Sequence, residues 1–170
     1  LTGYSCGDLF SHQLLLEQAE MALMQVINNT RQLDIISIVG LPVMVNSTLA
    51  NCAVVFQRGK ILGVVPKTYL PNYKEFYEQR WFASSLTYKD ISSVRLCGQT
   101  VPFGKDLLFE TSDTCFGIEI CEDVWAPVPP SSELVLKGAE IIFNMSADTE
   151  NIAKHQYLRS VLSQQSARCL

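Results

Sequence analysis

Between Leu15 and Val26 the apolar residues Leu15, Ala19, Ala22 and Val26 recur at intervals of three and four, the spacing that lines one face of an α-helix. Ser11 stands where an N-cap is expected, and Asn28-Asn29 closes the run. Beyond it the period changes. Asp34 to Val43, containing Ile35-Ile36-Ser37-Ile38-Val39, reads as a buried strand, and Cys52 to Gln57 with Ile61 to Val65 reads as a hairpin about Arg58-Gly59-Lys60. Leu107 to Glu110 and Thr114 to Ile120 are two further strands around Ser112-Asp113. A helix over Ser131 to Lys137, a strand over Ile141 to Phe143 and a long helix over Ile152 to Leu170 follow. Strands in the middle with helices at the flanks predict an α/β domain whose helices cover sheet faces. No internal repeat, low-complexity stretch or linker divides it.

Composition narrows the class. A chain of 170 residues that is 48% hydrophobic and 18% charged suits one globular unit with its own core and excludes disorder. The net charge of −4 and a pI near 5.1 give no electrostatic footprint for nucleic acid or for an anionic membrane, and the basic residues are scattered. No apolar segment approaches the ~20 residues that span a bilayer, and the basic-then-greasy pattern of a signal peptide is missing, so a cytoplasmic location is expected. Six cysteines (6, 52, 97, 115, 121 and 169) contain no Cys-x-x-Cys pair and several sit in strand-like runs, which predicts reduced thiols. His12 and His155 lack zinc-site spacing relative to them. Leu1-Thr2-Gly3-Tyr4 opens as if inside an element, so a piece of a longer protein is expected.

The chemistry concentrates in Gly117-Ile118-Glu119-Ile120-Cys121-Glu122-Asp123-Val124-Trp125, where a strand delivers a thiol into a cluster of carboxylates before Ala126-Pro127 breaks the run. Glu119, Glu122 and Asp123 would hold that thiol protonated, so a nucleophilic Cys121 requires a cation from elsewhere. Lys67, just after Val65-Pro66 at the end of another strand, is the candidate. If the two strands are neighbours, the ammonium favours the thiolate and later an oxyanion, to which the backbone N–H after Cys121 can also donate. That is an acyl-transfer constellation. An ordinary solvated lysine and a buried strand cysteine are the plain alternatives.

Lys67-Thr68-Tyr69-Leu70-Pro71-Asn72-Tyr73, continuing through Phe76, Glu78, Arg80 and Phe82, together with Ile120-Cys121-Glu122-Asp123-Val124-Trp125, resembles the nitrilase-superfamily glutaminase domain of glutamine-dependent NAD(+) synthetases. Leu1-Thr2-Gly3-Tyr4, Asp8-Leu9 and Gln165-Ser166-Ala167-Arg168-Cys169 are similar to it as well, so the resemblance runs end to end. It implies a nitrilase-like four-layer α-β-β-α sandwich, of which residues 1–170 are a partial carbon-nitrogen hydrolase domain without the first strand and the C-terminal part. It also implies a Glu-Lys-Cys mechanism. Cys121 would attack the side-chain amide of L-glutamine, Lys67 would support the tetrahedral intermediate, and a glutamate would move the protons.

The resemblance places that glutamate in a Pro-Glu-Leu motif ahead of Leu1, so the fragment alone is expected to be inactive. Glu78 matches a second, supporting carboxylate that positions the lysine. Tyr4 and Tyr73 match pocket tyrosines, Glu122 an orienting group, and Lys154 a cationic substrate contact, while Asp148 stands where the family usually has serine. A carboxylate there accepts from the substrate's α-ammonium and repels its carboxylate. Asp123 and Trp125 are expected to be structural, as a turn former and a ring under the nucleophile loop, and Arg80 a salt-bridge partner or a surface charge.

No glycine loop that cradles phosphate is visible, so no cofactor and no metal is expected on this chain. ATP, Mg and deamido-NAD would bind a C-terminal NAD synthetase domain of the same polypeptide, the recipient of the ammonia. A homo-oligomer is expected, with no nucleic-acid or membrane partner. The alternatives are a stand-alone nitrilase-like amidase, a Cys-His hydrolase built on Cys121 and His155, and a non-catalytic structural or oligomerisation module whose apolar helical faces pack against sister subunits.

Overall fold

The computed structural model describes residues 1–169, so Leu170, the last residue of the predicted final helix, lies outside the described residues. Helix α1 spans Gln13–Asn29. Its cap is His12, with no side-chain capping bond, because Ser11 is already committed to a preceding one-turn helix and donates to the Asp8 carbonyl. Three antiparallel strands follow, β1 (Ser37–Val45), β2 (Thr48–Gln57) and β3 (Lys60–Pro66), in the order β1-β2-β3. The first begins three residues later and ends two later than the apolar run predicted.

A hairpin that the sequence reading missed comes next, β4 (Ser93–Leu96) and β5 (Gln99–Pro102), closed by Cys97 and Gly98 at positive φ. Then β6 (Phe109–Glu110) pairs antiparallel with β7 (Cys115–Glu119), and β7 pairs in parallel with β8 (Ile141–Asn144). Helix α2 (Pro130–Leu136) makes the crossover between β7 and β8. Helix α3 (Lys154–Arg168) begins two residues later than expected.

Strand β2 organises the layers. Its residues are buried on both faces, which is why it reads as a continuous apolar run rather than an alternating one. Cys52, Val54 and Phe56 pack with Ala19, Leu23 and Ile27 of α1, and Ala53 and Val55 pack with Phe109, Phe116, Ile118 and Ile120 of the second sheet. Two glycines permit this stacking. A Cβ on Gly63 would lie 2.9 Å from Leu107 Cδ1, and one on Gly117 would lie 2.9 Å from Leu134 Cδ1, so these positions let sheet meet sheet and α2 meet β7. The order helix, sheet, sheet, helix is the four-layer sandwich. Its consequence for chemistry is that the ends of β3 and β7, in different sheets, open to the same side of the molecule.

Candidate functional site

Lys67 is the first residue past β3, and its backbone is fixed on both sides: its N–H donates to Asn51 at 2.8 Å and its carbonyl accepts from Ser85 N–H at 2.9 Å. Its side chain is only 1% exposed, which a lysine tolerates only when paired. Nζ donates to Glu78 Oε1 at 2.7 Å, and Tyr4 Oη donates to the same oxygen at 3.0 Å. Glu78 is equally buried, on a one-turn helix (Glu78–Arg80), and its Oε2 has no hydrogen-bond partner. The ordinary solvated lysine is therefore excluded at this position.

Cys121 lies two residues past the end of β7, after the capping residue Ile120, and it opens a one-turn helix, Cys121–Trp125. Its φ of +48° is a left-handed conformation that a residue with a Cβ adopts only when neighbours hold it there. Burial pushes its thiol above the ordinary cysteine range, Lys67 acts in the opposite direction, Asp148 adds to the rise, and the Ser146 hydroxyl and the Ala147 N–H oppose it.

This corrects the expected electrostatics, because the flanking carboxylates are committed elsewhere. Glu119 accepts from Ser131 N–H and from Asn144 Nδ2, Glu122 accepts from Tyr73 Oη, and Asp123 accepts from three backbone amides. The carboxylate that presses on the sulfur comes instead from position 148.

Cys121 lines two adjoining cavities. The first, of about 240 Å³, is lined by Tyr4, Asn51, Lys67, Glu78, Cys121 and Ser146. The second, of about 520 Å³, is lined by Tyr73, Cys121, Glu122, Trp125, Asp148 and Lys154. Phe76 stands between the two tyrosines, edge-on to Tyr4 at 6.1 Å and to Tyr73 at 5.7 Å between ring centroids. The lysine and thiol thus share one cavity, and Tyr73, Glu122, Asp148 and Lys154 surround the other. Lys154 Nζ pairs with Asp148 Oδ1 at 2.5 Å with both side chains about one-quarter exposed or less. Burial and the Glu122 carboxylate push the Tyr73 phenol up to about 12.

Trp125 is not beneath the nucleophile loop. It stacks on Tyr157 of α3 at 5.6 Å and forms a wall of the second cavity. Arg80 pairs with Asp8 at 2.6 Å on the exposed surface, and His155 is exposed and lines neither cavity. Sequence reasoning missed Asn144, Ser146 and Ala147. Asn144 Nδ2 donates to the Cys121 carbonyl at 3.4 Å, and its Oδ1 accepts from the Ser146 hydroxyl. The available signal was position: a loop leaving the C-terminal end of β8, which is parallel to β7, must run beside the nucleophile. All six cysteines are free thiols, and no helix among the described residues is long and apolar enough to cross a membrane.

The carbon-nitrogen hydrolase family matches residues 1–168. A glutamine-dependent NAD(+) synthetase from Mycobacterium tuberculosis is 40% identical over 173 residues, covering all of this chain and 25% of its own length. The human protein of that name is 36% identical over 167 residues, covering 94% of this chain and 23% of its own. The chain therefore spans about a quarter of the length of these relatives. Among solved structures, a glutamine-dependent NAD(+) synthetase from Cytophaga hutchinsonii superposes with a TM-score of 0.78 at 27% identity, covering 98% of this chain and 26% of that one. A nitrilase-superfamily amidase from Nesterenkonia superposes at 0.71 with 14% identity, covering 96% of this chain and 54% of that one, which supports the fold alone.

Proposed function

The chain belongs to the carbon-nitrogen hydrolase family, and on that premise we propose that it is the glutaminase part of a glutamine-dependent NAD(+) synthetase. The observation that carries this reading is Cys121 at the junction of two cavities, one holding a buried ammonium and the other a set of groups matched to a zwitterion. Sγ attacks the side-chain amide carbon of L-glutamine, and the carbonyl electrons move onto oxygen. Lys67 Nζ, pre-aimed by Glu78 and Tyr4, stabilises that oxyanion. The C–N bond then breaks, ammonia leaves with a proton, and water releases glutamate from the thioester to regenerate the thiol.

In the second cavity, Glu122 and Asp148 take the α-ammonium and Lys154 takes the α-carboxylate, for which Lys154 must turn from Asp148. Glu78 is not proposed as the general base. Its Oε1 is already shared by Lys67 and Tyr4, so its charge serves the lysine. In this proposal the base is a glutamate N-terminal to Leu1. The ammonia passes to a C-terminal synthetase domain of the same polypeptide, which binds ATP, Mg and deamido-NAD, and the enzyme works as a homo-oligomer. The apolar residues Ile141 and Phe143, each 42% exposed along β8, suit burial by further protein.

The full-length polypeptide, treated with a diazoketone analogue of glutamine and analysed by mass spectrometry, is expected to carry a single adduct on Cys121. Labelling of Cys52 or Cys115 in its place removes the nucleophile assignment. In the same protein, Lys67→Met abolishes thioester formation and His155→Ala does not.

A further inference from the structure

Asp123 was expected to be a turn former, and half of its carboxylate does behave so. Oδ2 accepts from the Ile120 N–H at 2.9 Å while the Asp123 N–H donates back to the Ile120 carbonyl at 3.1 Å, which closes a reciprocal pair around Cys121. The other half does something a turn does not need. Oδ1 accepts from the Thr68 N–H at 3.1 Å and the Tyr69 N–H at 2.7 Å, 55 and 54 residues away in the chain. Thr68 and Tyr69 directly follow Lys67. One carboxylate, 2% exposed, therefore binds both the backbone before the nucleophile and the backbone after its cation.

We infer that Asp123 is a positioning residue, a buried clamp that holds Cys121 in its left-handed conformation and fixes the distance between Lys67 and the thiol across two different sheets.

The physical argument rests on what each side would do alone. The left-handed backbone at Cys121 is strained for a residue with a Cβ and persists only where the surroundings over-determine it. Asp123 is the side chain that caps the N–H entering the turn, since Glu122 points to Tyr73 and Glu119 to Ser131 and Asn144, while Asn144 Nδ2 reaches the Cys121 carbonyl at a longer 3.4 Å. On the other side, Ser85 and Asn51 fix Lys67 within its own loop and say nothing about the second sheet. Asp123 bonds the backbone of both loops, a link that the exposed contact between Tyr73 Oη and Glu122 does not match because it joins side chains alone. Asparagine is a poor substitute, since its Nδ2 would face one of three N–H donors and leave it unpaired in a buried place. Thus the effect of Asp123 on the reaction runs through geometry, whereas loss of its charge alone can only favour ionisation of the thiol.

That opposition of signs makes the inference testable. The ionisable groups around Cys121 are Lys67 with Glu78 behind it, Tyr4 from the N-terminal segment, Tyr73, Lys74 and Glu75 from the loop after β3, Asp148 and Lys154 beyond β8, and Glu122 on its own turn. Carboxamidomethylation of Cys121 is followed by mass spectrometry from neutral to alkaline pH in the wild-type chain and in K67M, D123N and D123E. As a clamp, Asp123 gives a titration displaced to higher pH in D123N, in the same direction as K67M, with about tenfold slower labelling at neutral pH for each unit of displacement. In the double variant K67M/D123N the displacement is no larger than in K67M.

Simple removal of a nearby negative charge moves the titration down, so a downward or absent shift in a folded D123N overturns the inference. Cys52, 1% exposed in the core, reports folding: it stays unlabelled while the core is closed. Should D123N label there, D123E carries the test. It keeps the charge and moves the carboxylate by one methylene, so the clamp predicts a shift like that of K67M and an unchanged titration overturns it. The inference rests on the thiol chemistry proposed above, yet fails separately. Absence of the glutamine-analogue adduct on Cys121 removes the glutaminase reading, whereas these titrations use a reagent that recognises only a thiol.

Discussion

The buried pair Lys67 and Glu78 offers a sharp stability experiment. Both side chains are 1% exposed, Nζ and Oε1 are 2.7 Å apart, and Glu78 Oε2 has no partner at all. Removing one member strands the other charge in the interior, which costs about 3–5 kcal/mol. Removing both leaves two apolar side chains of similar volume in a place already lined by Phe10, Phe82 and Ile120, and buried pairs replaced in this way are often neutral or better. K67M and E78L are each expected to lose about 3–5 kcal/mol, which for a chain of this size is a fall of roughly 6–20 °C in Tm. The double variant is expected to lie within about 2 kcal/mol of wild type. Additivity would instead demand a loss of roughly 6–10 kcal/mol, comparable to the whole stability of an ordinary domain.

Urea unfolding followed by tryptophan fluorescence, with Trp81 and Trp125 as reporters, measures all four corners of the cycle. A single variant that loses under about 1 kcal/mol would behave as a surface pair and refute the buried reading. A double variant as unstable as the sum of the singles would refute the idea that desolvation dominates. Activity supplies the contrast: the stable double variant remains without thioester chemistry, because the ammonium that meets the oxyanion is gone. Such an outcome would separate a pair retained for catalysis from one retained for the fold.

Other expectations follow from the same geometry. Since burial holds the Cys121 thiol above the ordinary range, its alkylation continues to rise with pH where an exposed cysteine, with a pKa of about 8.5, has levelled off. Asp148→Asn removes the carboxylate that adds to this rise, so in that variant the alkylation profile moves to lower pH, and stopped-time labelling with mass spectrometry reads the displacement. The same variant removes a carboxylate that takes the α-ammonium and is expected to raise the KM for glutamine in the full-length enzyme. Gly117→Ala drives a Cβ to 2.9 Å from Leu134 Cδ1 and 3.2 Å from its Cβ, an overpacking that costs about 1–3 kcal/mol by chemical denaturation, whereas Gly98→Ala meets no atom and pays only for its left-handed φ.

How much of this was legible beforehand depends on the range of the interaction that decides each feature. Strands β2 and β3 and the turn between them follow from local apolar runs and from Arg58-Gly59, both at positive φ, and the sequence marks them plainly. The β4–β5 hairpin carried the same kind of signal. Cys97-Gly98 is a two-residue connection with both residues at positive φ, between segments that alternate Val94, Leu96 and Val101, Phe103, and the turn was legible though passed over. Helix α3 is a different case. Its only buried residue is Gln165, so its sequence signalled a helix without signalling which face meets the protein.

The site divides along the same line. Cys121 and Lys67 announce themselves by residue type at the ends of strands, but their union is a property of two sheets stacked face to face, and no periodicity specifies which strand ends open together. The carboxylates show the cost of reading locally. Three acids beside a thiol suggest a sulfur held protonated by its neighbours, yet each of the three spends its charge on amides, a phenol or an asparagine, and a fourth acid 27 residues further on exerts the effect. Sequence proximity counts charges without their directions. Direction comes from backbone conformation, and at Cys121 that conformation is the left-handed one, with the side chain lining the cavity it shares with Lys67. A string of letters carries neither that conformation nor the partners that occupy the flanking acids, which is why those acids mislead when read by position alone.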